Sequence, residues 1–212
     1  MNTAIQKLDD IMDRASRALA DMDYLTCESM CMEALAEARD QKCFRYYARV
    51  LMPLQEARRQ RRMIAAQGEI RLGTAGAGFD TTAWLHDHKS GCIVMTHPHT
   101  AEDAKALAQQ ARSEKLFVEV LFADNTPDNQ IWTLRSYDGR EVSCRVSAPT
   151  PDQNPAQWFL HATEQLGDAA LLGADDALTG EALIHDLEAR LRAFPDHELL
   201  HQRLAQAAQG IA

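Results

Sequence analysis

Four of the chain's eight histidines fall in one stretch, "WLHDHKSGCIVMTHPHT", as two His-x-His pairs, His86/His88 and His97/His99. Neutral imidazole is a common zinc ligand, and zinc takes about four ligands at ~2.1 Å from one point. On extended backbone a His-x-His pair presents both rings on one side. The residues between the pairs, Gly91–Thr96, read as a strand, and six residues at ~3.3 Å each span roughly 20 Å. One ion cannot then use all four rings. The second pair is better placed, because it follows a strand and precedes a helix N-terminus, where α/β folds put ligands. Asp124, at the end of the neighbouring parallel strand, supplies a carboxylate. His97, His99 and Asp124 are the metal candidates, with zinc as the ion; the competing reading is histidines in a surface loop, with no cofactor.

Other chemistry is thinner. "LGTAGAG", Leu72–Gly78, follows a strand candidate and offers backbone N–H groups to a phosphate. It is neither GxGxxG nor a P-loop, and a flexible connection explains it as well. There is no GxSxG, and Cys92 sits mid-strand, where a buried thiol is inert. Arg58, Arg59, Arg61 and Arg62 form a run, with Arg45 and Arg49 upstream. Such a cluster suits an acidic protein surface or RNA. The competing reading is a solvated face that pairs with nearby Glu and Asp.

Charge narrows the classes. The chain of 212 residues carries a net −9, distributed as +1 over residues 1–67, −4 over 68–157 and −6 over 158–212. An acidic chain is a poor general ligand for nucleic acid. No run approaches the ~20 apolar residues of a membrane span. The N-terminal stretch is amphipathic without an apolar h-region, so no signal peptide is expected. Five cysteines without CxxC spacing read as reduced thiols in a cytoplasmic protein.

The elements that position these residues come in three blocks. Residues 1–67 are helical by period: Leu8, Ile11, Ala15, Ala18 and Leu19, then Cys27, Cys31, Ala34 and Leu35, then Phe44, Tyr47, Ala48 and Leu51. Pro53 predicts a kink or two abutting helices. Residues 68–150 form an α/β module. Strand 91–96, a helix capped by Thr100 and a second apolar run make a βαβ unit. Trp132 and Leu134 against Val142, Cys144 and Val146, around Asp138-Gly139, make a hairpin. "FDTTAWLHDH" reads as a doubtful helix. "SAPTPDQNP" is a linker, and residues 151–212 are a C-terminal helical segment.

The run Asp23-Tyr24, Cys27, Cys31, Ala34-Leu35 resembles the second half of a tetratricopeptide repeat. Leu183, Leu187, Leu191 and Pro195 resemble the helix that closes such a repeat, followed by His201, Leu204 and Ala205. The match departs at Cys31, Ile11, Arg14 and His201 and covers less than half the chain. The arrangement also resembles uncharacterised bacterial helical proteins with an inserted α/β module, a group that implies no activity. "HPHT" after a strand is similar to the first His-x-His of metal-dependent hydrolases, but residues 129–146 lack the later ligands.

The fold expected is therefore mixed α and β: tetratricopeptide-like helices flanking a small α/β module. The leading functional expectation is a non-catalytic protein-interaction or scaffold protein with a protein partner, because paired helices expose faces that bind peptides. One alternative is a metal- or nucleotide-dependent enzyme or binding domain at His97 and His99. Another is a nucleic-acid adaptor through Arg58–Arg62. The sequence leaves the oligomeric state open.

Overall fold

The computed structural model of the chain describes residues 2–74, 79–125 and 130–211, with side chains from residue 5 onward. Among these the elements run α1 (Asn2–Ala20), α2 (Tyr24–Asp40), α3 (Phe44–Ala65), β1 (Glu69–Leu72), α4 (Thr81–Asp87), β2 (Ser90–Met95), α5 (Ala101–Ser113), β3 (Phe117–Asp124), β4 (Ile131–Arg135), β5 (Ser143–Ser147), α6 (Pro155–Leu172), α7 (Gly180–Ala193) and α8 (Glu198–Gln209). The class is mixed α and β. The chain divides into two compact units. A helical unit comprises Met1–Arg61, Ala174–Leu191 and Pro195–Ala212; a sheet unit comprises Arg62–Gly173 with Arg192–Phe194.

The helical unit follows from the 3.6-residue period. α1 buries Leu8, Ile11, Ala15 and Ala18; α2 buries Cys27, Cys31, Ala34, Leu35 and Ala38; α3 buries Phe44, Tyr47, Ala48, Leu51, Leu54 and Ala57. α1 and α2 end in one type of turn. Asp23 N–H donates to the Ala18 carbonyl and Cys43 N–H to that of Ala38, with Met22 (φ +61°) and Lys42 (φ +53°) left-handed. This is the Schellman closure, which satisfies the last carbonyls of a helix. α3 runs unbroken through Pro53. The bond that proline forfeits runs to the carbonyl of Arg49, a residue on the exposed side of the helix. The Pro53 carbonyl in turn accepts from the Cys27 thiol at 3.9 Å.

α7 and α8 join this set through polar contacts. Glu188 of α7 accepts from both Tyr47 and Arg39. Arg58 of α3 donates to the Pro195 carbonyl at 2.9 Å, just ahead of α8. Inside, the Cys27 and Cys31 thiols are hydrogen-bonded to each other. That bond and burial push the Cys31 thiol far up, while the same bond lowers Cys27.

The sheet unit holds five strands in the order β1-β2-β3-β4-β5. β1, β2 and β3 are parallel, and β4 and β5 are antiparallel to their neighbours. β2-α5-β3 is the βαβ unit read from the sequence. The β4–β5 pair is the expected hairpin, but Asp138-Gly139 lies inside a longer loop of residues 136–142, with Gly139 at φ +71°. β1 against β2 demands a glycine: a Cβ on Gly91 would lie 2.4 Å from the Glu69 carbonyl oxygen. One face of the sheet packs Ile93, Met95, Val118, Val120 and Phe122 against Trp84 and Leu85 of α4 and Ala104, Leu107 and Ala111 of α5.

α6 covers the other face, within the sheet unit, although by sequence order it opens the C-terminal helices. The physical reason is its apolar stripe. Trp158, Phe159, Ala162, Leu166 and Ala170 are buried, and the Trp158 indole meets Trp132 edge-on with centroids 5.4 Å apart. Its Nε1–H donates to the Ser147 carbonyl at 2.9 Å.

Candidate functional site

The histidine stretch disperses. Asp80 caps α4, accepting from the N–H groups of Thr82 and Ala83 at 2.9 and 3.0 Å. The segment read as a doubtful helix is thus a real one. His86 lies on that helix, exposed, so the first pair is not extended. The His88 ring stacks on Trp84, with Nδ1 2.7 Å from the Trp84 carbonyl oxygen. β2 then separates the pairs as the spacing implied.

Beyond β2, His97 is exposed and His99 half-buried, its backbone N–H closing a turn onto the Thr96 carbonyl at 3.0 Å. Asp124 ends β3 and pairs with Arg135 of the adjacent β4. Its carboxylate turns toward that cation. His97, His99 and Asp124 do not bring their ligand atoms together as a metal-binding group of three. Nearby, Thr74 and Thr96 are fully buried and bonded to one another: Thr74 N–H to Thr96 Oγ1, Thr96 N–H to Thr74 Oγ1, each 2.9 Å. They satisfy each other where the glycine-rich segment begins. Gly73 is left-handed there (φ +91°), and residues 75–78 of that segment lie outside the described residues.

The arginines sort into two sets. Arg58 and Arg61 belong to the interior: Arg58 Nε donates to Glu28 Oε1 at 2.8 Å, and Arg61, 4% exposed, donates to the other oxygen. Arg62 stands over the Phe194 ring at 5.3 Å and reaches Thr163 Oγ1 at 3.4 Å. These three are committed to internal partners. Arg59 forks onto Glu56, one turn back, at 3.0 and 3.1 Å, and both side chains are partly exposed. That pairing holds Glu56 below the usual carboxylate range. Arg45 and Arg49 are exposed and make no ion pair among the described residues; Arg49 lies 5.0 Å over the Tyr46 ring.

At 100° per residue, positions 45, 49, 52, 56 and 59 of α3 share a sector of about 80°. Opposite the buried stripe, this face carries Arg45, Arg49, Met52, Glu56 and Arg59, with Met52 76% exposed. At its N-terminal end an open cavity of about 410 Å³ is lined by Lys42, Cys43, Phe44, Arg45, Tyr46, Glu181 and Ile211. Lys42 there lies 3.5 Å from Glu181. The arginine count drew attention to this helix from sequence. Met52 and the cavity were missed, although the seven-residue spacing of Arg45, Met52 and Arg59 was a usable signal.

No family model matches the chain, and neither a curated protein nor a solved structure matches it. No helix among the described residues is long and apolar enough to cross a membrane.

Proposed function

We propose that this is a non-catalytic protein-interaction protein, acting in the cytoplasm through the exposed face of α3. The observation that carries the reading is the joint exposure of Met52, Arg45 and Arg49 on one face. Methionine and arginine are among the residue types enriched at protein interfaces, and neither arginine is held by an ion pair among the described residues. Methionine adapts its shape to a partner, and arginine supplies hydrogen bonds. The helical unit provides a stiff support, since both turns flanking α2 are closed by backbone bonds. The cytoplasmic placement rests on five cysteines that are all unbridged.

The test is site-specific photo-crosslinking in living cells, with a benzophenone amino acid in place of Met52 and, as control, in place of exposed Glu114 on the sheet unit. A discrete protein adduct at position 52 and none at 114 is the expected result. No adduct at 52 sinks the reading.

A further inference from the structure

We infer that the partner seated on α3 is an acidic helical segment with one bulky apolar anchor; this rests on the interaction reading above. The argument begins with the cavity. Phe44, Tyr46 and Ile211 give it apolar walls, and its volume of about 410 Å³ admits a leucine or an aromatic side chain. Its basic lining residues are Lys42, which Glu181 faces at 3.5 Å, and Arg45. From there the face of α3 continues as Arg45 and Arg49, one turn apart, and then Met52.

The ordering fixes what fits. Residues four apart on a helix are separated by ~6 Å along its axis. Two carboxylates four residues apart on a partner helix therefore meet Arg45 and Arg49 together. An apolar residue ahead of them enters the cavity, and another beyond them covers Met52. Glu56 and Arg59 on this face answer one another, as Lys42 and Glu181 do at the cavity, so the unbalanced charge is that of Arg45 and Arg49. A basic partner meets two uncommitted guanidiniums there, and a wholly apolar one leaves them desolvated, which is costly. Cys43 lines the cavity and is half-buried, which makes its thiol a reporter of occupancy.

The experiment uses the full chain and a labelled synthetic helical peptide with one leucine followed by two glutamates four residues apart. The comparison peptide has glutamines instead. Fluorescence anisotropy should show binding of the glutamate peptide, weakened about tenfold or more by the double change Arg45→Glu/Arg49→Glu and severalfold by added salt. The milder pair Arg45→Gln/Arg49→Gln should weaken it less, which guards against a folding defect. The peptide should also slow iodoacetamide modification of Cys43 and leave that of Cys144 unchanged. Equal binding of the two peptides, or binding insensitive to both arginine pairs, overturns the inference. So does failure of the glutamate peptide to bind. If crosslinking at position 52 still yields an adduct, the interaction reading survives that failure; without it both fall. A dimer in sedimentation that Arg45→Glu/Arg49→Glu dissolves overturns the inference in favour of a second copy of the chain.

Discussion

Arg58 of α3 and Glu28 of α2 meet at 2.8 Å, and Arg61 takes the second oxygen of the same carboxylate. One acid thus serves two guanidiniums that are nearly or wholly withdrawn from water, with side-chain exposures of 12% and 4%. Breaking a buried pair from one side costs far more than the pair contributes, because a charge stays behind. Glu28→Gln should therefore destabilise the helical unit by about 3 kcal/mol or more. Urea unfolding followed by far-UV circular dichroism measures it. Adding Arg61→Met to the same chain should recover part of the loss, since one stranded charge is gone. A double variant no better than Glu28→Gln would show that Arg61 draws little on this carboxylate.

The left-handed residues give a prediction of opposite sign. Met22 and Lys115 occupy the left-handed position after α1 and α5, at φ +61° and +58°. A side chain there carries a steric cost that glycine avoids. Met22 is 69% exposed, so little packing is lost on its removal. Met22→Gly and Lys115→Gly should each stabilise by about 0.5–1 kcal/mol, partly offset by the freer unfolded chain. Thermal melts at one pH suffice; a lower midpoint in both would contradict the turn assignment.

Acid should act on the helical unit through His201. The residue is 2% exposed on α8. Burial first, and then Arg58 beside it, pull its pKa down from 6.5 to about 4, with His197 adding to the pull and the Pro195 carbonyl opposing it. The unfolded chain then takes up a proton from about pH 6.5 downward, while the folded chain refuses it until about pH 4. Stability present above pH 6.5 is lost as pH falls between these values, levels off below, and changes by on the order of 3 kcal/mol in all. His201→Gln, which keeps a donor for the Pro195 carbonyl, should flatten this part of the profile. An unchanged slope between pH 6.5 and 4 in the variant would assign the effect elsewhere.

What could be read in advance follows from which interactions are local. Apolar spacing and caps are local, so Cys27, Cys31, Ala34 and Leu35 marked the face of α2, and Thr100 marked the start of α5 with its box to Asp103. The βαβ unit was legible for the same reason. The pairing of Asp124 with Arg135 was not legible, because Arg135 arrives from β4 through sheet pairing that no spacing encodes. The ion pairs of Arg58 and Arg61 with Glu28 are non-local in the same way. A run of arginines looks the same whether it faces water or a half-buried glutamate thirty or more residues away. α4 was doubtful because its seven residues hold less than two turns of pattern, and its stability comes from the Asp80 cap and the burial of Trp84.

α6 shows the same limit and carries the last prediction. Its apolar stripe was plain in the sequence, but nothing local said that it covers the sheet. The contact with Trp132 and the bond from Trp158 Nε1 to the Ser147 carbonyl supply that information. Trp158→Phe keeps a ring but strands the carbonyl, a loss of about 1–2 kcal/mol. Trp158→Ala removes the whole anchor, about 3–5 kcal/mol. Cys92 adds a local readout. It is fully buried in β2, and its register partner Glu119 alternates with Val118 and Val120, which pack toward α5. Cys92 therefore lies under α6, where burial drives its thiol far upward. Loosening α6 should expose it, so alkylation of Cys92 should speed up in Trp158→Ala while that of Cys31, in the helical unit, stays slow. Equal acceleration at both cysteines would mean global unfolding instead of release of one helix.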